Sequence, residues 1–359
     1  MRIPIRILGT LAGMVLAGQA AAEIRIGLAA PLSGPSALLG EQMRAGAETA
    51  AEALKDPAVT LEIADDSCTG AGGARAARQF VAARVQAVVG FLCGEAIEAA
   101  LPILKEAGIA TIAVGVRLDS LTDRKVRTGW SVYRLGPRAD SEREAAGRLL
   151  SRLWQKDLFA IVDDGTIYGR EISESVRLAA EQAGLKPVFV DTFRPQADNQ
   201  IGMIGRLKRA GATHVFVGGD AGDVAVMGRD AAELEADLVI AAGETLRALP
   251  GDVPLAAGTL MVAPPEWRET ADPVASAAFA ERNVLVLGYV LPAYAAVEVA
   301  RQAIMESGAP DAALSEDLSN REFSTALGAV KFDAKGDLAE NPYRLFRFDG
   351  TGFKPTVYP

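Results

Sequence analysis

Short apolar segments of strand length alternate with longer segments of helical spacing along nearly the whole chain, and no other feature limits the fold as much. Strand-like runs fall at 24–29, 61–64, 87–89 and 110–114, with helical patterns at 39–54, 73–83 and 95–107 between them. A second series begins after Asp140: helix 141–153, strand 158–162, helix 168–183, strand 187–190, helix 199–209, strand 214–217, helix 222–234 and strand 238–241. Repeated strand–helix units build parallel sheets, because each return to the sheet needs a right-handed crossover through a helix. The chain therefore reads as α/β with two halves of similar grammar, although no residue-level repeat is visible. A strand at 259–262 then leads to Pro264-Pro265, and 272–305 is mainly helical, most clearly over 294–305. Strands follow at 323–327 and 330–332, and the end reads as a hairpin, 343–348 with 353–355, around Asp349-Gly350.

At 359 residues the chain is too long for most single cores, which implies two lobes. Residues 1–22 read as an export signal. Arg2 and Arg6 flank an apolar run over 7–17, and Ala20-Ala21-Ala22 supplies a small-residue cleavage site, so the mature chain starts near Glu23. No Cys follows that site, which argues against a lipid anchor, and no later run is apolar for long enough to span a bilayer. Half the residues are apolar and 23% are charged, the balance of a globular chain. The net charge of −9 falls to near −11 once Arg2 and Arg6 are removed, which disfavours nucleic acid and anionic membrane as partners. A soluble periplasmic monomer is the expectation.

The chain has two cysteines, Cys68 and Cys93. In an oxidising compartment the favoured reading is a disulfide, worth ~3–4 kcal/mol in the chain-entropy model. The alternative is two unrelated buried thiols. The one histidine, His214, opens an apolar run, and a lone His with no Cys cluster builds neither a zinc site nor a nucleophilic triad. No metal, cofactor or catalytic residue is expected.

Open α/β sheets bind ligands at the carboxyl ends of their strands, where strand order reverses. That rule selects the loops 33–36, 93–96, 115–117, 163–168 and 218–223, with 243–245 as a sixth. Several motifs accompany them. Ala30-Pro31-Leu32-Ser33-Gly34-Pro35 follows the first strand, and Gly40-x-Gln42 precedes Gly46-Ala47. Asp65-Asp66-Ser67-Cys68 and Val89-Gly90-x-Leu92-Cys93 end two others; Ala160-Ile161-Val162-x-Asp164 leads to Tyr168-Gly169; and Phe332-Asp333-x-x-Gly336-Asp337 lies near the end. Each motif is weak alone, but their order and spacing resemble the branched-chain amino-acid binding proteins of ABC importers over essentially the whole mature chain. The resemblance implies a type I periplasmic-binding-protein fold: two doubly wound parallel-sheet lobes joined by three hinge crossovers. The N-lobe would be 23–137 plus 273–332, and the C-lobe 138–272 plus 333–359. The cysteine spacing is similar to that family's disulfide.

The departures bear on the ligand. Where the family has a Ser that holds the ligand carboxylate, this chain has Gly94, followed by Glu95. Where it places Ala and Thr after the fourth strand, this chain has Gly115 and Arg117. Its C-lobe Tyr is Asp220 here, and the aromatic before Gly40 is Leu39. Tyr168 and Glu244 resemble retained positions, the second being the family's ammonium-binding acid. Arg117 is the strongest candidate anchor, since a guanidinium grips a carboxylate with two parallel hydrogen bonds. Its bland reading is a surface ion pair with Asp119 or Asp123, and a nearby Glu95 would neutralise it. Asp220 either holds a ligand or caps the next helix. Ser33 and Ser36 either donate to a ligand or cap the first helix. Glu95 fits a solvated first turn, and Trp130 and Trp267 fit packing near the crossovers.

The expected role is a solute-binding receptor of an ABC importer that closes on an amino acid or related carboxylate and is recognised by a permease. One alternative is a sensor feeding a membrane kinase or chemoreceptor. A second is a secreted enzyme using an acid pair such as Asp163-Asp164.

Overall fold

The computed structural model describes residues 23–267, 271–307, 313–314, 317–319 and 321–356. The export signal at 1–22 lies outside the described residues. Five parallel strands form the first sheet: β1 (Ile24–Ala30), β2 (Val59–Asp65), β3 (Ala87–Gly90), β4 (Thr111–Ala113) and β5 (Val132–Arg134), in the order β2-β1-β3-β4-β5. The second sheet repeats that order with β6 (Phe159–Asp163), β7 (Phe189–Thr192), β8 (His214–Gly218), β9 (Val239–Ala242) and β10 (Leu260–Ala263), running β7-β6-β8-β9-β10. β4 and β9 thus hold equivalent places in the two sheets. The fold class is the one the alternation implied, a mixed α/β chain with two parallel sheets.

Both faces of each sheet are covered, so the strands read as apolar runs rather than clean alternations. In the first sheet Ile24, Ile26 and Leu28 point into one core while Ala29, Val88 and Ala113 point into another, against Phe80 and Leu101. The second sheet divides the same way, Phe159 and Ile161 on one face, Ala160 and Val162 on the other. The chain does not stay with one sheet. After β10 it returns to the first, where α10 (Pro273–Glu281) and α11 (Val290–Glu306) bury Phe279, Leu291 and Tyr294 against Ile26 and Leu28. The hairpin β11 (Glu322–Thr325) and β12 (Gly328–Lys331) follows. The tail then rejoins the second sheet, with β13 (Arg344–Phe348) antiparallel to β10 and β14 (Phe353–Pro355) antiparallel to β13. The chain therefore passes between the sheets three times.

Several expected bounds shift. The strand expected at 187–190 is Phe189–Thr192, its ladder starting beyond Pro187, which has no N–H to give. The expected strands 323–327 and 330–332 are the hairpin strands Glu322–Thr325 and Gly328–Lys331. β5 was not expected, since Arg134 breaks its apolar pattern; that side chain is fully buried, its charge met by Asp337. Cys68 and Cys93 are joined by a disulfide, tying the loop after β2 to the start of α3 (Gly94–Glu106). No helix among the described residues is long and apolar enough to cross a membrane.

Candidate functional site

The loops selected by the strand-end rule do follow the carboxyl ends of β1, β3, β4, β6, β8 and β9. Only some of them meet. A cavity of about 480 Å³ opens between the sheets, and Gly115, Arg117 and Glu244 line it. Its remaining wall comes mainly from the first two passages and from the segment before α11, notably Gly136, Pro265, Trp267, Leu287 and Tyr289. Ser33, Gly94, Tyr168 and Asp220 are not among its lining residues.

Arg117 is not paired with Asp119, Asp123 or Glu95. Its Nη1 donates to Glu244 Oε1 at 2.8 Å and its Nη2 to the Tyr343 hydroxyl at 2.5 Å. Tyr343, fully buried just before β13, donates in turn to Glu244 Oε2 at 2.7 Å. This knot joins the equivalent loops after β4 and β9. Burial acts against the Arg117 charge, but Tyr343 and Glu244 outweigh it and hold the guanidinium above its ordinary pKa. Burial raises the Tyr343 hydroxyl, and the Glu244 charge adds to that shift.

A second acid lies behind the first. Glu142, in the first turn of α6 (Ser141–Leu153), is 4% exposed, and its Oε1 accepts from the Glu244 amide at 2.6 Å and the Tyr168 hydroxyl at 2.8 Å. Burial, reinforced by the Glu244 charge, pushes its carboxyl up to about 7. Tyr168 therefore braces Glu142 rather than facing the cavity. It is held there by α7 (Ile167–Gln182), whose cap Thr166 accepts from the Gly169 amide. Two glycines are required by this packing. A Cβ on Gly115 would stand 2.6 Å from Leu92 Cδ1 and 3.0 Å from Tyr289 Cε1, and one on Gly243 would collide with Glu142 Oε1 and the Tyr168 hydroxyl.

The other candidates resolve into local structure. Asp220 caps α9 (Ala221–Glu233), accepting from the Asp223 amide at 2.9 Å. Ser36 precedes α1 (Ala37–Ala53) without a side-chain cap bond, and Ser33 shares a hydrogen bond with Ser67 at 3.1 Å, so the capping alternative fails for both. Gly94 begins α3 beside Leu118, and Glu95 is exposed in its first turn. Trp130 packs at a core edge under Arg124, whereas Trp267 faces the cavity. Sequence reasoning missed Glu142, Tyr343, Tyr289 and Arg247. Each is ordinary in its own segment, and only the spatial meeting of distant loops distinguishes it.

The family model for periplasmic binding proteins matches residues 23–353, and the chain belongs to that family. It is 28% identical over 354 residues to the Leu/Ile/Val-binding protein BraC3 of Rhizobium johnstonii, covering 94% of this chain and 95% of that one. A crystal structure from Rhodospirillum rubrum, assigned to branched-chain amino acid ABC transport, superposes with a TM-score of 0.77 at 15% identity, covering 94% of this chain and all of that one. The solute-binding protein of an ABC transporter from Rhodopseudomonas palustris BisB5, in complex with 3,4-dihydroxy benzoic acid, superposes at 0.61 with 15% identity, covering 92% and 94%.

Proposed function

We propose that this chain is the periplasmic solute-binding receptor of an ABC importer, and that it captures a small carboxylate, an amino acid or a related acid, in the cavity between its sheets. The observation that carries the reading is the contact of Arg117 with Glu244, which links equivalent loops of the two sheets at the wall of a ligand-sized cavity. The lobes are residues 23–137 with 273–332, and 138–272 with 333–359. Groups from both line one cavity, so a ligand touching both favours the closed arrangement over the open one. That closed arrangement is what a permease would recognise. No bond is made or broken in this cycle. An export signal cleaved near Glu23 delivers the receptor to the periplasm, where it acts as a monomer.

A thermal-shift screen of the mature protein against amino acids and organic acids tests the reading. A ligand bound only by the folded state raises the melting temperature as its concentration passes its Kd. At least one carboxylate is expected to do so, and Arg117→Ala is expected to abolish that rise. A melting temperature unmoved by every acid overturns the proposal, and an unmoved affinity in Arg117→Ala removes the anchor.

A further inference from the structure

The fold of this family holds ligands of different charge, since a Leu/Ile/Val-binding protein and a 3,4-dihydroxy benzoic acid complex both match the chain. The choice falls on the charged groups of the cavity. Those groups are Arg117, Glu244, Arg247 and Glu266. They stand as two ion pairs: Arg117 Nη1 with Glu244 Oε1 at 2.8 Å, and Arg247 Nη1 with Glu266 Oε1 at 2.9 Å. An amino acid brings an ammonium as well as a carboxylate, and the two halves of such a ligand fare differently here.

The carboxylate can be met. A guanidinium presents a fork of N–H donors, and Arg117 directs one to Glu244 and one to Tyr343, with its side chain 38% exposed at the cavity. Two of its five N–H donors are used in this way, which leaves donors for a second carboxylate. The ammonium cannot be met in the same way. Both oxygens of Glu244 already accept, Oε1 from Arg117 and Oε2 from Tyr343, and its charge is matched by the guanidinium. An ammonium placed against Glu244 would lie a few ångströms from a fixed positive charge, and like charges at that range repel. Glu142 offers no substitute, because it is buried and its Oε1 is turned to the Glu244 amide and Tyr168. Glu266, the other carboxylate of the wall, is likewise held by a cation, Arg247, and the remaining surface is mainly aromatic and apolar: Trp267, Tyr289, Leu287 and Pro265.

We infer that the receptor selects a carboxylate without an ammonium group, carried on an apolar or planar body, and that Arg117 occupies the place of the ligand's ammonium on Glu244. The inference rests on the carboxylate reading above and narrows it. Arg117 has two roles, as an internal counter-ion to Glu244 and as the grip on the incoming acid. Selectivity against amino acids follows from the first, and the seat of the apolar body follows from Tyr289 standing against Gly115, where no Cβ intervenes.

The test is calorimetric titration of the mature protein with matched pairs differing by the ammonium alone: 3-phenylpropionate against phenylalanine, and 4-methylpentanoate against leucine, with 4-hydroxybenzoate as a planar acid. At least one deaminated acid is expected to bind about ten-fold or more tightly than its amino-acid partner. In Arg117→Met the deaminated acid loses its grip and is expected to lose detectable binding, while the amino acid, whose ammonium can now meet the uncompensated Glu244, is expected to bind more tightly than its deaminated partner. An amino acid that binds the unaltered protein as tightly as its deaminated partner, or more tightly, overturns the inference and leaves the carboxylate reading standing. Binding of none of the five overturns the inference, and the carboxylate reading falls with it when no acid of the thermal-shift screen moves the melting temperature. An Arg117→Met protein in which the amino acid does not bind more tightly than its deaminated partner overturns the counter-ion role, while the wild-type ratio is measured independently of whether that variant folds.

Discussion

Two arginine–carboxylate knots hold the junction of this molecule, and they differ in burial. At the hinge, Arg134 of β5 is fully buried and its Nε donates to Asp337 Oδ1 at 2.9 Å, while Arg138 Nη1 and the Thr122 hydroxyl donate to Oδ2 at 2.9 and 2.8 Å. The Arg134 amide also donates to the Gly336 carbonyl at 2.8 Å, so the third passage is bound to the edge of the first sheet through backbone and side chain together. At the cleft, Arg117 and Glu244 are 38% and 27% exposed. The chemistry is the same, but the consequence of losing a partner is not. In the first knot a lost carboxylate leaves a charge with no water to turn to. In the second, water can take the vacated place. The buried knot is a bolt, and the exposed one is an exchangeable contact.

Removing the bolt is expected to have the largest effect. Asp337→Ala leaves Arg134 buried without its counter-ion and should cost ~3–5 kcal/mol of stability, measured by chemical denaturation. A loss below ~1 kcal/mol would erase the distinction between the knots.

Glu142 lies between the two extremes. Its carboxyl is pushed from an ordinary 4.5 up to about 7 by burial and then by the Glu244 charge, so the folded state binds its proton more tightly than the unfolded chain does. Stability from this group is therefore present at low pH and is lost as the pH climbs from about 4.5 to about 7. Glu142→Gln keeps an oxygen for the Glu244 amide and Tyr168 and cannot ionise. The variant should gain on the wild type across that window, by about 3 kcal/mol in all, and the gap should stay constant above it. Asp66, Asp223 and Glu298 are also raised by burial, but they titrate alike in both proteins and cancel in the difference. Parallel stability curves from pH 4.5 to 8 would show that Glu142 ionises freely.

The smallest stability effect belongs to the exposed knot. Arg117→Ala should lower the unfolding free energy by no more than ~1 kcal/mol, the range of solvent-screened pairs, while removing ligand binding. A stability loss matching that of Asp337→Ala would make Arg117 a second bolt and take it out of the ligand site.

The strand-end loops were legible because their residues lie next to apolar runs whose period is local. The loops that hold Gly115, Arg117 and Glu244 were selected that way, the residues themselves by resemblance to the family, and they do converge. Ser33, Gly94, Tyr168 and Asp220 were found in the same way and do not line the cavity, because a loop at a strand end can still turn its side chain to a cap, as Asp220 does, or to a buried neighbour, as Tyr168 does. The partner of Arg117 was beyond reach for a different reason. Glu244 is 127 residues away and Tyr343 is 226 away, and neither distance leaves a trace in the pattern of either segment.

By itself, then, the amino-acid order determined what depends on neighbours along the chain: the strand–helix alternation, the parallel sheets that follow from it, and the loops at the strand ends. The pairing of Cys68 with Cys93 was favoured by compartment and then found in the structure. Tertiary structure decided which loops meet. Three passages between the sheets bring β4, β9 and the segment before β13 to one point, where Glu244 meets a guanidinium, a hydroxyl and a buried acid at once. Charge interactions act through space rather than along the chain, so the same Arg117 that reads as an open anchor in sequence is, once folded, half of an ion pair.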